Sequence, residues 1–392
     1  MHPPIPAERL YMPELDGLRF LAFLAVFLHH LPFPPAWTAG SEVLARVHAF
    51  GWMGVDVFLV LSAYLLSSLA VREWEATGSF AVGRFFLRRV LRIWPLYFFG
   101  LVIGFALYPA ALALVGAEQN ADPLSSLRDH LIPFSLFFGN LSYSVYPATL
   151  GLYKSLWTIS LEEQFYLVFP VLMILLLGAR SASRTGLFLL CAVAVAVLTR
   201  VYYQLADIPY PTVWASPLSR LEPLAIGIAL GLLMHTRKPS RPLVILAGLL
   251  AVCGVVLVSA FPQLGASAHT IWQLLASAVA SGAILVFARS DVPRRLLGRP
   301  APVALGKLSF GLYVYHSFTV DAFARAAAFL PEGPLHAPLW MALALLCFAV
   351  TVLAALASYE FLEKPFLKRK RLQEIVPSRP TALLEAPRPA LP

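Results

Sequence analysis

Apolar residues run through this sequence in long unbroken stretches, without the period of an amphipathic helix or the alternation of a half-buried strand. Ten such stretches lie at 17–33, 52–71, 93–115, 157–178, 186–203, 217–235, 243–261, 270–288, 304–325 and 338–362. A helix needs about 20 apolar residues to cross hydrocarbon. The pattern therefore predicts an all-α fold, a polytopic membrane helix bundle of about ten transmembrane helices. An outer-membrane barrel would instead show ten-residue segments of alternating hydrophobicity.

Composition agrees with that reading. Of 392 residues, 59% are hydrophobic and 13% charged, and the mean hydropathy is +0.74. These values exclude a water-soluble globule, which carries about twice that share of charge. One transmembrane domain is expected over 1–371, followed by a Pro-rich, disordered cytoplasmic tail over 372–392. Residues 1–16 hold Glu8, Glu14 and Asp16 against Arg9, which argues for a retained first helix rather than a cleaved signal peptide. Cys191, Cys253 and Cys347 sit far apart in apolar runs and show no ligand or pairing pattern.

The basic residues set an orientation. Of 30 Lys and Arg, 22 fall in the segments on one side of the spans and three on the other. The positive-inside rule then places both termini in the cytoplasm of a multi-pass inner-membrane protein. The sequence pI near 9.6 has the same origin, because no nucleic-acid-binding motif accompanies the charge. The outer connection 116–156 is long and aromatic, with Phe134, Phe137, Phe138, Tyr143, Tyr146 and Tyr153, and is expected to fold back on the bundle.

An ionised side chain in hydrocarbon costs at least about 2.5–3.5 kcal/mol, so each one inside a span is a candidate for function. Arg19 and His30 are eleven residues apart on the first span. That spacing puts them on one helix face about 16 Å apart. Asp56, Glu162, Glu163, Arg220, Glu222 and His316 fall near the same outer depth as His30. Such convergence suits an enzyme site or an ion pathway. His29 points about 100° away from His30 and reads as interfacial.

Taken together, six stretches resemble the acyltransferase-3 family of integral-membrane O-acyltransferases, which modify surface polysaccharides, Nod factors and some antibiotics. They are LDGLRFLAFLAVFLHH at 15–30, GVDVFLVLSAYLL at 54–66, RRVLRIWPLY at 88–97, SLWTISLEEQFYLVFP at 155–170, LGKLSFGLYVYHSF at 305–318 and YEFLEKPFLK at 359–368. The similarity covers about 14–370, and its most specific element is the Arg19–His30 register. Ala63 stands where the family usually has glycine.

The resemblance implies transfer of an acyl group, usually acetyl, from cytoplasmic acyl-CoA to a hydroxyl of an extracytoplasmic or membrane-associated glycan or related acceptor. Arg88, Arg89 and Arg92 form a dense inner cluster suited to the donor's phosphates. His30 is expected to act as general base or as nucleophile, with Glu162 or Glu163 orienting it. Arg19, Asp56, Arg220 and His316 are the expected substrate-binding residues, Arg220 or His316 polarising the thioester. No metal-ligand spacing occurs. Expected partners are acyl-CoA, a carbohydrate or lipid-linked glycan and membrane lipid, with no nucleic acid. Many members of the family carry a fused esterase-like domain, so a second transfer here is expected to need a separate partner. The rival class is a transporter of acyl groups, lipids or protons, which buried charge would also suit.

Overall fold

In the computed structural model, each of the ten apolar stretches coincides with helix. The structure describes residues 12–34, 37, 48–116, 127–146, 155–179, 181–208, 210–236, 240–260, 269–289 and 291–376. The expected tail beyond 376, Tyr153 in the outer connection and several loop arginines lie outside the described residues. Among the described residues there is no strand.

The first half of the bundle comprises α1 (Pro13–His30), α2 (Met53–Thr77) and α3 (Val82–Val102, prolonged by a π turn to Leu114). Two short helices follow, α4 (Ile132–Ser135) and α5 (Gly139–Val145). Next come α6 (Trp157–Ala179), α7 (Ala182–Leu205), the short α8 (Thr212–Ala215), α9 (Leu221–Thr236) and α10 (Arg241–Ala260). The remainder comprises α11 (His269–Arg289), α12 (Asp291–Leu297), α13 (Pro300–Lys307), α14 (Ser309–Ala327), α15 (His336–Ser358) and α16 (Lys364–Arg371).

Six helices are long and apolar enough to cross a membrane: Met53–Thr77, Val82–Leu114, Trp157–Ala179, Ala182–Leu205, Leu218–His235 and His336–Arg371. The protein is therefore a multi-pass membrane protein. Leu187, Leu190 and Leu198 on α7, and Leu345, Leu346 and Leu353 on α15, are exposed, as lipid-facing positions must be. The ninth stretch, expected as one helix over 304–325, breaks at Leu308 into α13 and α14. Gly306 explains the placement of α13: a Cβ there would overlap the carbonyl of Asp16, so only glycine lets α13 press onto α1.

Local chemistry sets the helix ends. Pro13 starts α1 at a position where no amide hydrogen is needed. Gly78 closes α2 in the left-handed region at φ 72°, its N–H donating to the Trp74 carbonyl at 2.8 Å. Ser181 caps α7 by accepting from the Arg184 amide at 3.4 Å.

The aromatic segment of the outer connection does fold back. Phe134 is fully buried, and the Tyr97 hydroxyl of α3 donates to its carbonyl at 2.7 Å. Phe137 stacks on Tyr97 with ring centroids 4.8 Å apart, and the Gly139 amide donates to Ser160 Oγ of α6 at 3.2 Å. These contacts fasten α4 and α5 across the first turn of α6.

Candidate active site

Helix α1 carries His30 in its last turn, and α14 brings His316 beside it, with ring centroids 5.1 Å apart. Each imidazole has Nδ1 against a carbonyl: His30 on Val26 at 2.9 Å, His316 on Tyr313 at 2.6 Å. A carbonyl only accepts, so Nδ1 carries the hydrogen in both rings. The neutral ring then has its lone pair on Nε2. His316 is wholly buried, and its Nε2 meets no hydrogen-bond partner. His30 is exposed. His29, by contrast, has its Nδ1 2.5 Å from the His48 carbonyl.

From this pair a line of polar side chains runs through the bundle. The Tyr313 ring lies 5.3 Å from His316, and its hydroxyl donates to the Ser155 carbonyl at 3.0 Å and accepts from Thr158 Oγ1 at 2.9 Å. One helical turn beyond Thr158 on α6 is Glu162, which accepts from the Tyr166 hydroxyl at 2.5 Å and interacts electrostatically with Arg19 and Arg89. The Arg89 guanidinium sits 5.9 Å from the centroid of the Tyr166 ring, and its buried Nε has no partner. Arg19 is 3.9 Å from Asp16.

The two glutamates have different partners. Glu162 interacts electrostatically with Arg19 and Arg89, while Glu163 accepts from the Trp94 indole at 3.3 Å. The ring that α14 sets against His30 is that of His316. The first turn of α6 is held under the folded-back α4 and α5.

The other candidates form separate groups. Asp56 and Arg220 make a fully buried ion pair at 2.5 Å. The Arg220 guanidinium lies 3.7 Å over the Trp214 ring, and its Nε donates to the Trp214 carbonyl at 2.9 Å. Beside them Arg200 pairs with Glu222, which also accepts from Ser277 at 3.2 Å. Arg200, Ser277 and the buried Gln273 escaped the sequence reading. The available signal was an arginine inside a predicted span, but its partner is 22 residues away on another helix.

Arg88 is paired with Glu73 at 3.1 Å and Arg92 with Glu363 at 3.8 Å. Among the described residues no group of three or more His, Cys, Asp or Glu is arranged to hold a metal. The three cysteines are free, Cys347 buried and the other two exposed.

A line of polar side chains joining a pair of imidazoles to two arginines runs through a multi-pass membrane protein. The chain belongs to the acyltransferase-3 family, whose acyltransferase domain matches residues 12–359. It is similar to the peptidoglycan O-acetyltransferase OatA of Listeria monocytogenes, 26% identical over 393 residues covering 92% of this chain and 56% of the relative. It is also similar to the O-acetyltransferase OatA of Staphylococcus aureus (strain NCTC 8325), 25% identical over 373 residues covering 92% of this chain and 58% of the relative. The chain thus spans less than two thirds of the length of these relatives. No solved structure matches it significantly.

Proposed function

We propose that this protein is an O-acyltransferase of the inner membrane, moving an acetyl or other acyl group from cytoplasmic acyl-CoA to a hydroxyl of an extracytoplasmic or membrane-associated glycan. The observation that carries this reading is the line from Arg19 and Arg89, through Glu162, Thr158 and Tyr313, to His316 and His30. Its two ends suit the two ends of an acyl-CoA. Arginines take phosphate oxygens. An imidazole takes a hydroxyl proton near neutral pH.

The donor's nucleotide end binds at Arg89 and Arg19, and its thioester reaches toward the histidines, about 16 Å along α1. A lone pair on Nε2 of His30 removes the proton from the acceptor hydroxyl as its oxygen attacks the thioester carbonyl. The tetrahedral intermediate collapses, the carbon–sulfur bond breaks, and the proton passes from the imidazolium to the departing thiolate. His316, buried and with an open Nε2, lies beside that ring and stabilises its orientation. The strong inner bias of basic residues supports a multi-pass bundle with both ends cytoplasmic. Similarity to the Listeria peptidoglycan O-acetyltransferase supports a glycan of the cell envelope as acceptor.

A split in kinetics tests the assignment. Arg89→Gln is expected to raise KM for acetyl-CoA about tenfold with kcat little changed, because it removes binding common to ground and transition states. His30→Ala is expected to abolish kcat while acetyl-CoA still binds. An unchanged acetyl-CoA affinity in Arg89→Gln would remove that arginine from the donor site.

A further inference from the structure

At the basic end of the bundle, the chain beyond the last helix returns to the surface of α3. Arg88 donates to the Gln373 carbonyl at 3.0 Å, and Lys370 Nζ of α16 lies 3.3 Å from Glu374 Oε1. A small cleft of about 40 Å³ opens there, with Glu73, Arg88, Arg89, Lys370 and Glu374 as its charged walls. Leu69, Ile375 and Val376 complete the lining, so residues 374–376 form one wall of the cleft.

The cations on this cleft are not equivalent. Arg88 is satisfied by Glu73 and by the Gln373 carbonyl. Of the two carboxylates on the cleft, Glu73 is engaged by Arg88 and Glu374 by Lys370, while Arg89 Nε is buried without an acceptor. A guanidinium N–H left unpaired in a protein interior is costly, and an anion that fills it is correspondingly favoured. A phosphate has more acceptor oxygens and more charge than a carboxylate, so it suits two cations and an open N–H better than Glu374 does.

We propose that Lys370 joins Arg89 in binding a phosphate of the acyl-CoA donor, and that Glu374 occupies this subsite until the donor displaces it. Residues 372–376 are then a latch on the donor site. This rests on the acyl-CoA reading above. The same phosphate chemistry exists in an anionic lipid headgroup, and the test separates the two sources.

Coenzyme A binding is measured by calorimetry on the purified full chain in detergent, for wild type, Glu374→Gln, Lys370→Gln and the exposed control Lys368→Gln. Glu374→Gln is expected to tighten binding about fivefold by removing a competing charge. Lys370→Gln is expected to weaken it about tenfold, the worth of one charge-assisted hydrogen bond. Lys368→Gln should stay within about twofold, since its charge is solvent-screened. Size-exclusion profiles check that the variants remain folded. Wild-type affinity in both Glu374→Gln and Lys370→Gln overturns the latch and leaves the transferase reading standing; no coenzyme A binding by any form overturns both. In phosphatidylcholine nanodiscs, adding phosphatidylglycerol should leave coenzyme A affinity unchanged. Enhanced phosphatidylglycerol retention by Glu374→Gln without a change in coenzyme A affinity would make this a lipid site and sink the proposal.

Discussion

His30 and His316 come from opposite ends of the chain and share one hydrogen-bond habit, Nδ1 on a main-chain carbonyl of the preceding turn. That habit turns the reactive nitrogen of each away from its own backbone. The Arg19–His30 register was legible in the sequence because both residues ride on one helix, where spacing alone decides the face. The partnership of His30 with His316 was legible only as a coincidence of depth. Choosing between Glu162 and Glu163 was beyond any periodicity, since adjacent residues differ only in what packs against each. The structure separates their partners, with Glu162 interacting electrostatically with Arg19 and Arg89, and Glu163 hydrogen-bonded to Trp94. Glu162→Gln is therefore expected to reduce acyl transfer about tenfold to a hundredfold, the size of a lost hydrogen bond to a charged group. Glu163→Gln should stay within about threefold, as a partly solvated hydrogen bond contributes little. Equal losses in the two, measured at matched protein levels, would contradict the placement of Glu162.

Among elements, the decisive one is α6. Its run of apolar residues made the helix easy to foresee, while the folding of α4 and α5 over its first turn is a long-range event that no local pattern encodes. The break between α13 and α14 was hidden for a similar reason, because the apolar run passes straight across it. Close helix packing by glycine is more readable. On α9, a Cβ at Gly231 would overlap Ser67 Oγ of α2, and one at Gly227 would overlap the Val60 carbonyl. These two helices hold Asp56 and the residues following Arg220 at their facing ends, so their spacing supports the buried ion pairs. Gly231→Leu is expected to destabilise the protein by about 1–3 kcal/mol or more through overpacking. Thermal melting in detergent reads it, with Gly178→Leu as a comparison because that glycine faces open space. A melting point for Gly231→Leu equal to wild type would show that α2 and α9 do not pack as described.

At the scale of the whole molecule, composition and hydropathy were sufficient to establish a multi-pass helical bundle, because a bilayer leaves the backbone few alternatives. Orientation rests on the distribution of basic residues, and reporter fusions read it directly. Fusions after Arg241 and after Arg371 are expected to report cytoplasm, and one at Asn120 the opposite side. An extracytoplasmic signal from Arg371 would contradict a ten-span bundle with both ends inside. On the proposed function, the interior line of polar groups lets a donor held on one side meet an acceptor on the other. The central claim is that His30 carries the chemistry of this transfer. Its most direct measurement is the appearance of base-labile radiolabel in the envelope glycan fraction when membranes are given labelled acetyl-CoA. Wild-type membranes are expected to transfer label, and His30→Ala membranes with the same amount of protein to transfer about 10²–10⁴-fold less. Wild-type levels of label in the His30→Ala membranes would contradict the account.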